Sequence, residues 1–127
     1  MPLVRISVNR QPDAAYTTAI GDAVHRALVE TMNVPVDDKF QIISHADSSQ
    51  IVYPPEYLGI RHTDAIVVIQ ITLNSGRTVE QKRKLYAQIA DSLRAAPGIP
   101  RSDVIINLVE VVKENWSFGD GVAQYAT

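Results

Sequence analysis

Short apolar runs alternate with helical spacing along the 127 residues of the chain. Leu3-Val4-Arg5-Ile6-Ser7-Val8 reads as a short strand, broken by Asn9-Arg10-Gln11-Pro12. Tyr16, Ile20, Val24, Ala27, Leu28 and Thr31 follow at three- and four-residue spacing, which predicts an amphipathic helix to about Met32. Pro12 fits its first turn, and Asp13 suits the positive end of its dipole. Gly21 costs this helix something without outweighing the pattern. Val34-Pro35-Val36-Asp37-Asp38 is a turn, and Phe40 to Ser44 alternates as a strand of about five residues. His45 to Asp64 is irregular, and so long a loop in a compact domain is usually functional or packs as its own unit. Ala65 to Leu73 is the most apolar run, expected as a central strand buried on both faces at its start. Asn74-Ser75-Gly76 turns the chain. Thr78 with Gln81 makes a capping-box pattern, and Leu85, Ile89 and Leu93 mark a second helix ending near Ala96. After a turn at Ile99 to Asp103, Val104 to Val112 is the fourth strand. The tail from Trp116 to Gly121 is glycine-rich and carries two large aromatics.

The β-α-β order occurs twice, and the halves, about 1–64 and 65–127, align at a constant offset of 65 residues. Val8-Asn9 matches Leu73-Asn74; Ile20, Val24 and Leu28 match Leu85, Ile89 and Leu93; Val34-Pro35 matches Ile99-Pro100; Asp38 matches Asp103. Two copies of one unit in a single domain predict an α/β (α+β) fold. Each crossover makes its flanking strands parallel, so the sheet is four-stranded and mixed with both helices on one face. The other face is left bare and partly apolar, to be covered most economically by other subunits.

Composition narrows the function. The net charge of −2 gives no electrostatic case for nucleic acid or an anionic membrane. With no cysteine, thiolate chemistry, disulfides and Cys-based metal sites are excluded, which suits a cytoplasmic protein. His25, His45 and His62 have no metal-like spacing, and no metal or cofactor is expected. No leader precedes Pro2, and no apolar run approaches the ~20 residues of a membrane span.

Pro2 is the candidate reactive centre. Initiator Met is normally removed before a small second residue, which would expose a secondary amine. An α-amino group has a pKa of roughly 7.7–8.0 and can act as base, acid or nucleophile near neutral pH. The strand directly behind it would hold it at one end of the sheet, and Pro2 aligns with Val67 inside the central strand, so its pocket should be apolar.

Met1-Pro2-Leu3, Val34-Pro35 with Asp38 and Gln41, Leu58-Gly59, Arg77 with Glu80-Gln81-Lys82, Asp103-Val104-Ile105, Leu108-Val109-Glu110 and Trp116-Ser117-Phe118-Gly119 together resemble the tautomerase superfamily. Within it the chain is most similar to the malonate semialdehyde decarboxylase group, nearly end to end. The resemblance implies a tautomerase-like homotrimer with sites near subunit boundaries and a small oxo-carboxylate substrate. It implies Pro2 as the catalytic proline, cationic or iminium-forming in the decarboxylases and a neutral base in the tautomerases. Asp38 matches an acidic residue that assists catalysis or positions water, Arg77 an arginine that binds the substrate carboxylate, and Trp116 and Phe118 aromatics that wall the pocket. Ser75 stands where many of these decarboxylases carry a second arginine, and Arg61 is the candidate substitute.

Such a set suits decarboxylation of a 3-oxo acid, which needs an electron sink at the carbonyl and a carboxylate held out of conjugation. Keto–enol tautomerisation or hydration of 2-oxo acids is the second reading. The element order also permits a non-catalytic ferredoxin-like regulatory or assembly module, in which Pro2 would be idle. Single residues have plainer alternatives: Asp38 capping the Pro35 turn, Trp116 and Phe118 in a core. Glu110 and Glu114 either activate water or occupy an exposed strand face.

Overall fold

A computed structural model of the chain describes residues 1–47 and 49–126. The order is β1 (Leu3–Val8), α1 (Ala14–Met32), β2 (Phe40–His45), β3 (Glu56–Tyr57), β4 (Ile60–Arg61), β5 (Val67–Asn74), α2 (Val79–Ala95) and β6 (Val104–Val111). β1 runs parallel to β2 and antiparallel to β5, and β5 runs parallel to β6, so the sheet order is β2-β1-β5-β6. The repeat is carried into the hydrogen bonding. Leu3 lies opposite Phe40 and Val67 opposite Val104, the same separation of 37 residues in each half. Arg5 lies opposite Gln70, its own counterpart, so the pseudo-two-fold axis passes through that pair.

Alternation in the strands sends Val4, Ile6 and Val8 of β1, and Val67, Ile69, Ile71 and Leu73 of β5, toward the helices. Ile20, Val24 and Leu28 of α1 meet them, as do Leu85, Ile89 and Leu93 of α2, all inaccessible to solvent. Each such side chain contributes roughly 1.5–3 kcal/mol by burial. On the opposite face, apolar Phe40, Ile42 and Val109 remain exposed around a polar row that includes Arg5, Gln70 and Asn107, with Gln70 Nε2 donating to Asn107 Oδ1 at 3.1 Å.

Three details differ from the sequence expectation. α1 starts after Pro12: Asp13 is its N-cap and accepts from Tyr16 N–H at 3.2 Å. The 45–64 loop contains a small hairpin, β3 with β4, whose turn residues Leu58 and Gly59 both take positive φ. As expected, two-face burial of the central strand falls at its start, at Ile66 and Val67, beyond which β5 alternates. Gly21 leaves room for Gln41: a Cβ there would sit 2.5 Å from Gln41 Oε1, so that side chain would have to turn aside, and Gln41 Nε2 donates to Gly21 O at 2.8 Å.

Candidate active site

Because β1 and β5 are antiparallel, the start of β1 lies at the end of β5, with Leu3 opposite Thr72. Parallel pairing brings the turn before β2 and the segment after β6 to the same end. Pro2, Asp38, Ser75, Arg77, Trp116 and Phe118, distant in sequence, thus belong to segments that meet at one edge of the molecule.

The terminal nitrogen of the structure belongs to Met1 and lies 3.9 Å from Asp38 Oδ2; the buried Pro2 follows it directly, so loss of Met1 would leave the Pro2 nitrogen as the amine at this edge. The pKa of the Met1 amine is lowered, chiefly by burial. Asp38 opposes that shift and the positive charge of Arg77 adds to it. Neutral amine is therefore favoured relative to an exposed terminus. Asp38 backs onto the turn through its N–H, which donates to Pro35 O at 3.0 Å, but its carboxylate does not cap that turn. Oδ1 is buried and has no hydrogen-bond partner among the described residues.

Asp103 shows what this position does when it is purely structural. Its N–H bonds Pro100 O at 2.9 Å, as Asp38 bonds Pro35, and its carboxylate is fully buried. Both oxygens are occupied, accepting from Thr63 N–H at 2.6 Å and Thr63 Oγ1 at 2.5 Å. At the first-half position a carboxylate faces an amine instead and keeps an oxygen in reserve. A buried acceptor without a partner is uncommon in a stable fold and suits a group that handles protons or substrate.

Arg77 donates from Nη1 to Asn74 O at 2.9 Å and from Nη2 to Met32 O at 3.3 Å. The second contact sets a cation on the C-terminal carbonyl of α1, where the helix dipole favours it. Two of the five guanidinium donors are used and the others remain for an anion. Ser75 is exposed beside it, its N–H bonded to Val111 O at 2.9 Å. Lys82 pairs with Glu110 close by, and that contact is the main cause of the lowered Glu110 pKa. Trp116 donates Nε1–H to Asn74 Oδ1 at 2.7 Å and stacks on Phe118 with ring centroids 5.5 Å apart. Phe118 in turn meets Tyr125 edge-on at 5.0 Å.

Some candidates are elsewhere. Arg61 is on β4, exposed, 3.8 Å from Glu56, and its hairpin packs against the turn at Arg101–Asp103, by the start of β5. Closeness to β5 in sequence put it at the wrong end of that strand, so within one chain it does not stand in for a second arginine. His25 bonds Val36 O, His62 lies near Pro54 O, and His45 contacts Thr17 Oγ1, away from Pro2. Among the described residues no His, Asp and Glu cluster is arranged to hold a metal, and no helix is long and apolar enough to cross a membrane. Asn74 and Tyr125 were not anticipated. Asn74 reads as a turn former, and its only distinguishing signal was its match to Asn9.

A family model for tautomerase enzymes matches residues 38–119, and a second one matches residues 2–61. The Bacillus subtilis protein named Probable tautomerase YusQ is 37% identical over 124 residues, covering 98% of both chains. FG41 malonate semialdehyde decarboxylase, solved with the inhibitor 3-bromopropiolate, superposes with a TM-score of 0.88 at 40% identity, covering 97% of this chain and 93% of that one. A malonate semialdehyde decarboxylase solved in wild-type, mutant and inactivated forms, to account for decarboxylase and hydratase activities, gives 0.87 at 29% identity over 97% and 95%. The duplicated unit, the amine facing Asp38 and the full-length matches lead to one assignment: the chain belongs to the tautomerase family of enzymes.

Proposed function

We propose that the enzyme decarboxylates a small 3-oxo acid such as malonate semialdehyde, using the Pro2 amine after loss of Met1 and no cofactor. The observation that carries this reading is the Asp38 carboxylate beside the start of the chain: Oδ2 lies 3.9 Å from the Met1 nitrogen that precedes Pro2, Oδ1 is buried without a partner among the described residues, and Arg77 is close enough to act on the same amine. It is supported by the likeness to FG41 malonate semialdehyde decarboxylase.

Arg77 would take the carboxylate. The neutral Pro2 nitrogen would attack the aldehyde carbon, Asp38 would carry protons to and from the oxygen, and loss of water would leave an iminium. The carbon–carbon bond to the carboxylate then breaks, its electron pair entering the iminium to give an enamine and CO2. Protonation at carbon and hydrolysis return acetaldehyde and the free amine. Trp116 and Phe118 would supply an apolar wall that favours charge loss as CO2 leaves. A second reading, in which neutral Pro2 moves a proton between carbon and oxygen of a 2-oxo acid, is supported by the burial of this end of the chain, which lowers the pKa of the adjoining Met1 amine. Assembly as a homotrimer would cover the apolar sheet face and wall the otherwise open site.

Proton NMR of malonate semialdehyde with Met-free protein, verified by intact mass, and with Pro2→Ala tests the reading. Acetaldehyde from the wild type alone is expected. No product would overturn decarboxylation and leave phenylenolpyruvate tautomerisation as the assay. Silence of both proteins in both assays would favour the non-catalytic module.

A further inference from the structure

Two parts of the site come from different stretches of chain: the guanidinium from the turn before α2, and the aromatic wall from the segment after β6. Asn74, the last residue of β5, holds both. Its main-chain oxygen accepts from Arg77 Nη1 at 2.9 Å, and its side-chain oxygen accepts from Trp116 Nε1–H at 2.7 Å. The segment beyond Trp116 is otherwise tied mostly to itself. Phe118 N–H donates to Gln124 Oε1 at 2.9 Å, and Gln124 Nε2 donates to Gly119 O at 3.1 Å. Phe118 also stacks on Trp116 and meets Tyr125 edge-on.

We propose that Asn74 is a positioning residue that fixes the aromatic strap relative to Arg77, and so sets how bulky an oxo acid the site accepts. The idea rests on the carboxylate-binding role of Arg77 proposed above. An indole N–H only donates, so the Asn74 amide must turn its oxygen toward Trp116. The repeat supplies a second observation. Asn9, the counterpart of Asn74, also ties a neighbouring segment down, its Nδ2 donating to Asp64 O at 3.4 Å. One position thus anchors a loop at each end of the sheet, and at this end the anchored loop carries the wall.

The bond to Arg77 uses main-chain oxygen and survives substitution; the bond to Trp116 does not. Asn74→Leu should therefore free the strap and leave the arginine in place, whereas Asn74→Asp keeps an acceptor. Trp116 is the only tryptophan, so its emission reports this contact without interference. The test uses full-length Met-free protein, with malonate as an unreactive dicarboxylate probe.

For Asn74→Leu, red-shifted emission and faster acrylamide quenching are expected, with malonate affinity within about twofold of wild type. The kcat/KM for malonate semialdehyde should fall about three- to tenfold, the worth of one neutral hydrogen bond, and its preference over the 2-methyl analogue should narrow. Asn74→Asp should restore emission and preference. Trp116→Phe should narrow the preference likewise, and adding Asn74→Leu to it should change little more, as residues acting through one bond do. Wild-type emission and preference in Asn74→Leu would overturn the proposal. So would an equal loss of malonate binding, or a preference that Asn74→Asp does not restore. If wild-type protein turns over no oxo acid, the proposed function fails, while emission and malonate binding still decide whether Asn74 anchors the strap.

Discussion

Asp38 and Asp103 occupy one position of the repeat and differ in what they touch, so the same substitution should do different things to them. Asp103→Ala strips two hydrogen bonds from a buried carboxylate and should cost about 3 kcal/mol in urea unfolding. Asp38→Ala removes an acceptor whose one oxygen has no partner. It should cost less than about 1 kcal/mol while lowering kcat/KM about 100-fold, the usual worth of a general acid–base. The amine has its own signature. In the chain that retains Met1, burial lowers the terminal amine's pKa below 8.0, so the unfolded chain binds more protons than the folded one between the lowered value and 8.0. Stability should rise with pH through that window and level off above it. In the Met-free chain the Pro2 amine takes the place beside Asp38 and Arg77, and activity that needs it neutral should likewise rise with pH, seen in the profile of kcat/KM. Asp38→Asn should move the limb to lower pH, since Asp38 raises the pKa, and Arg77→Gln should move it to higher pH.

Elements were largely legible in the sequence because each carries its own punctuation. The Thr78 and Gln81 capping box is formed in both directions, and Thr78→Ala should lower stability by about 1 kcal/mol in thermal or urea melts. Gly21 was legible only as a cost, since nothing local says that Gln41 of β2 will lie against it. Gly21→Ala should stabilise a Gln41→Ala background by about 0.5–1 kcal/mol through helix propensity, and gain less or nothing in wild type. Differential melts of the four proteins check this. The hairpin of β3 and β4 was hidden behind Tyr53-Pro54-Pro55 and by a leucine at positive φ, a conformation that side chain rarely signals. The candidate site residues Pro2, Asp38, Arg77, Trp116 and Phe118 stand out through motifs. Asn74 was not, because its role appears only when the turn after β5 and the tail after β6 meet. Arg61 misled because proximity along a chain says nothing about which end of a strand it serves.

At the scale of the molecule, the helix-free sheet face carries exposed Phe40, Ile42 and Val109, and β2 and β6 are both open edges. Burying such a surface in a homotrimer predicts that Ile42→Lys dissociates the assembly in light scattering and lowers activity at high dilution, with helical circular dichroism retained. The shared register raises a question of stoichiometry. Two equal halves, each free at its start, would offer a reactive amine at both ends of the sheet. Joining them makes the residue that matches Pro2, Val67, an interior member of β5, and its nitrogen an amide with no basic lone pair. Covalent continuity alone therefore retires one of two potential sites, whatever the side chains around it. The carboxylate at the retired end, Asp103, clasps the connecting segment through Thr63, while its counterpart Asp38 keeps a buried oxygen free of protein partners among the described residues, at the end where the amine remains.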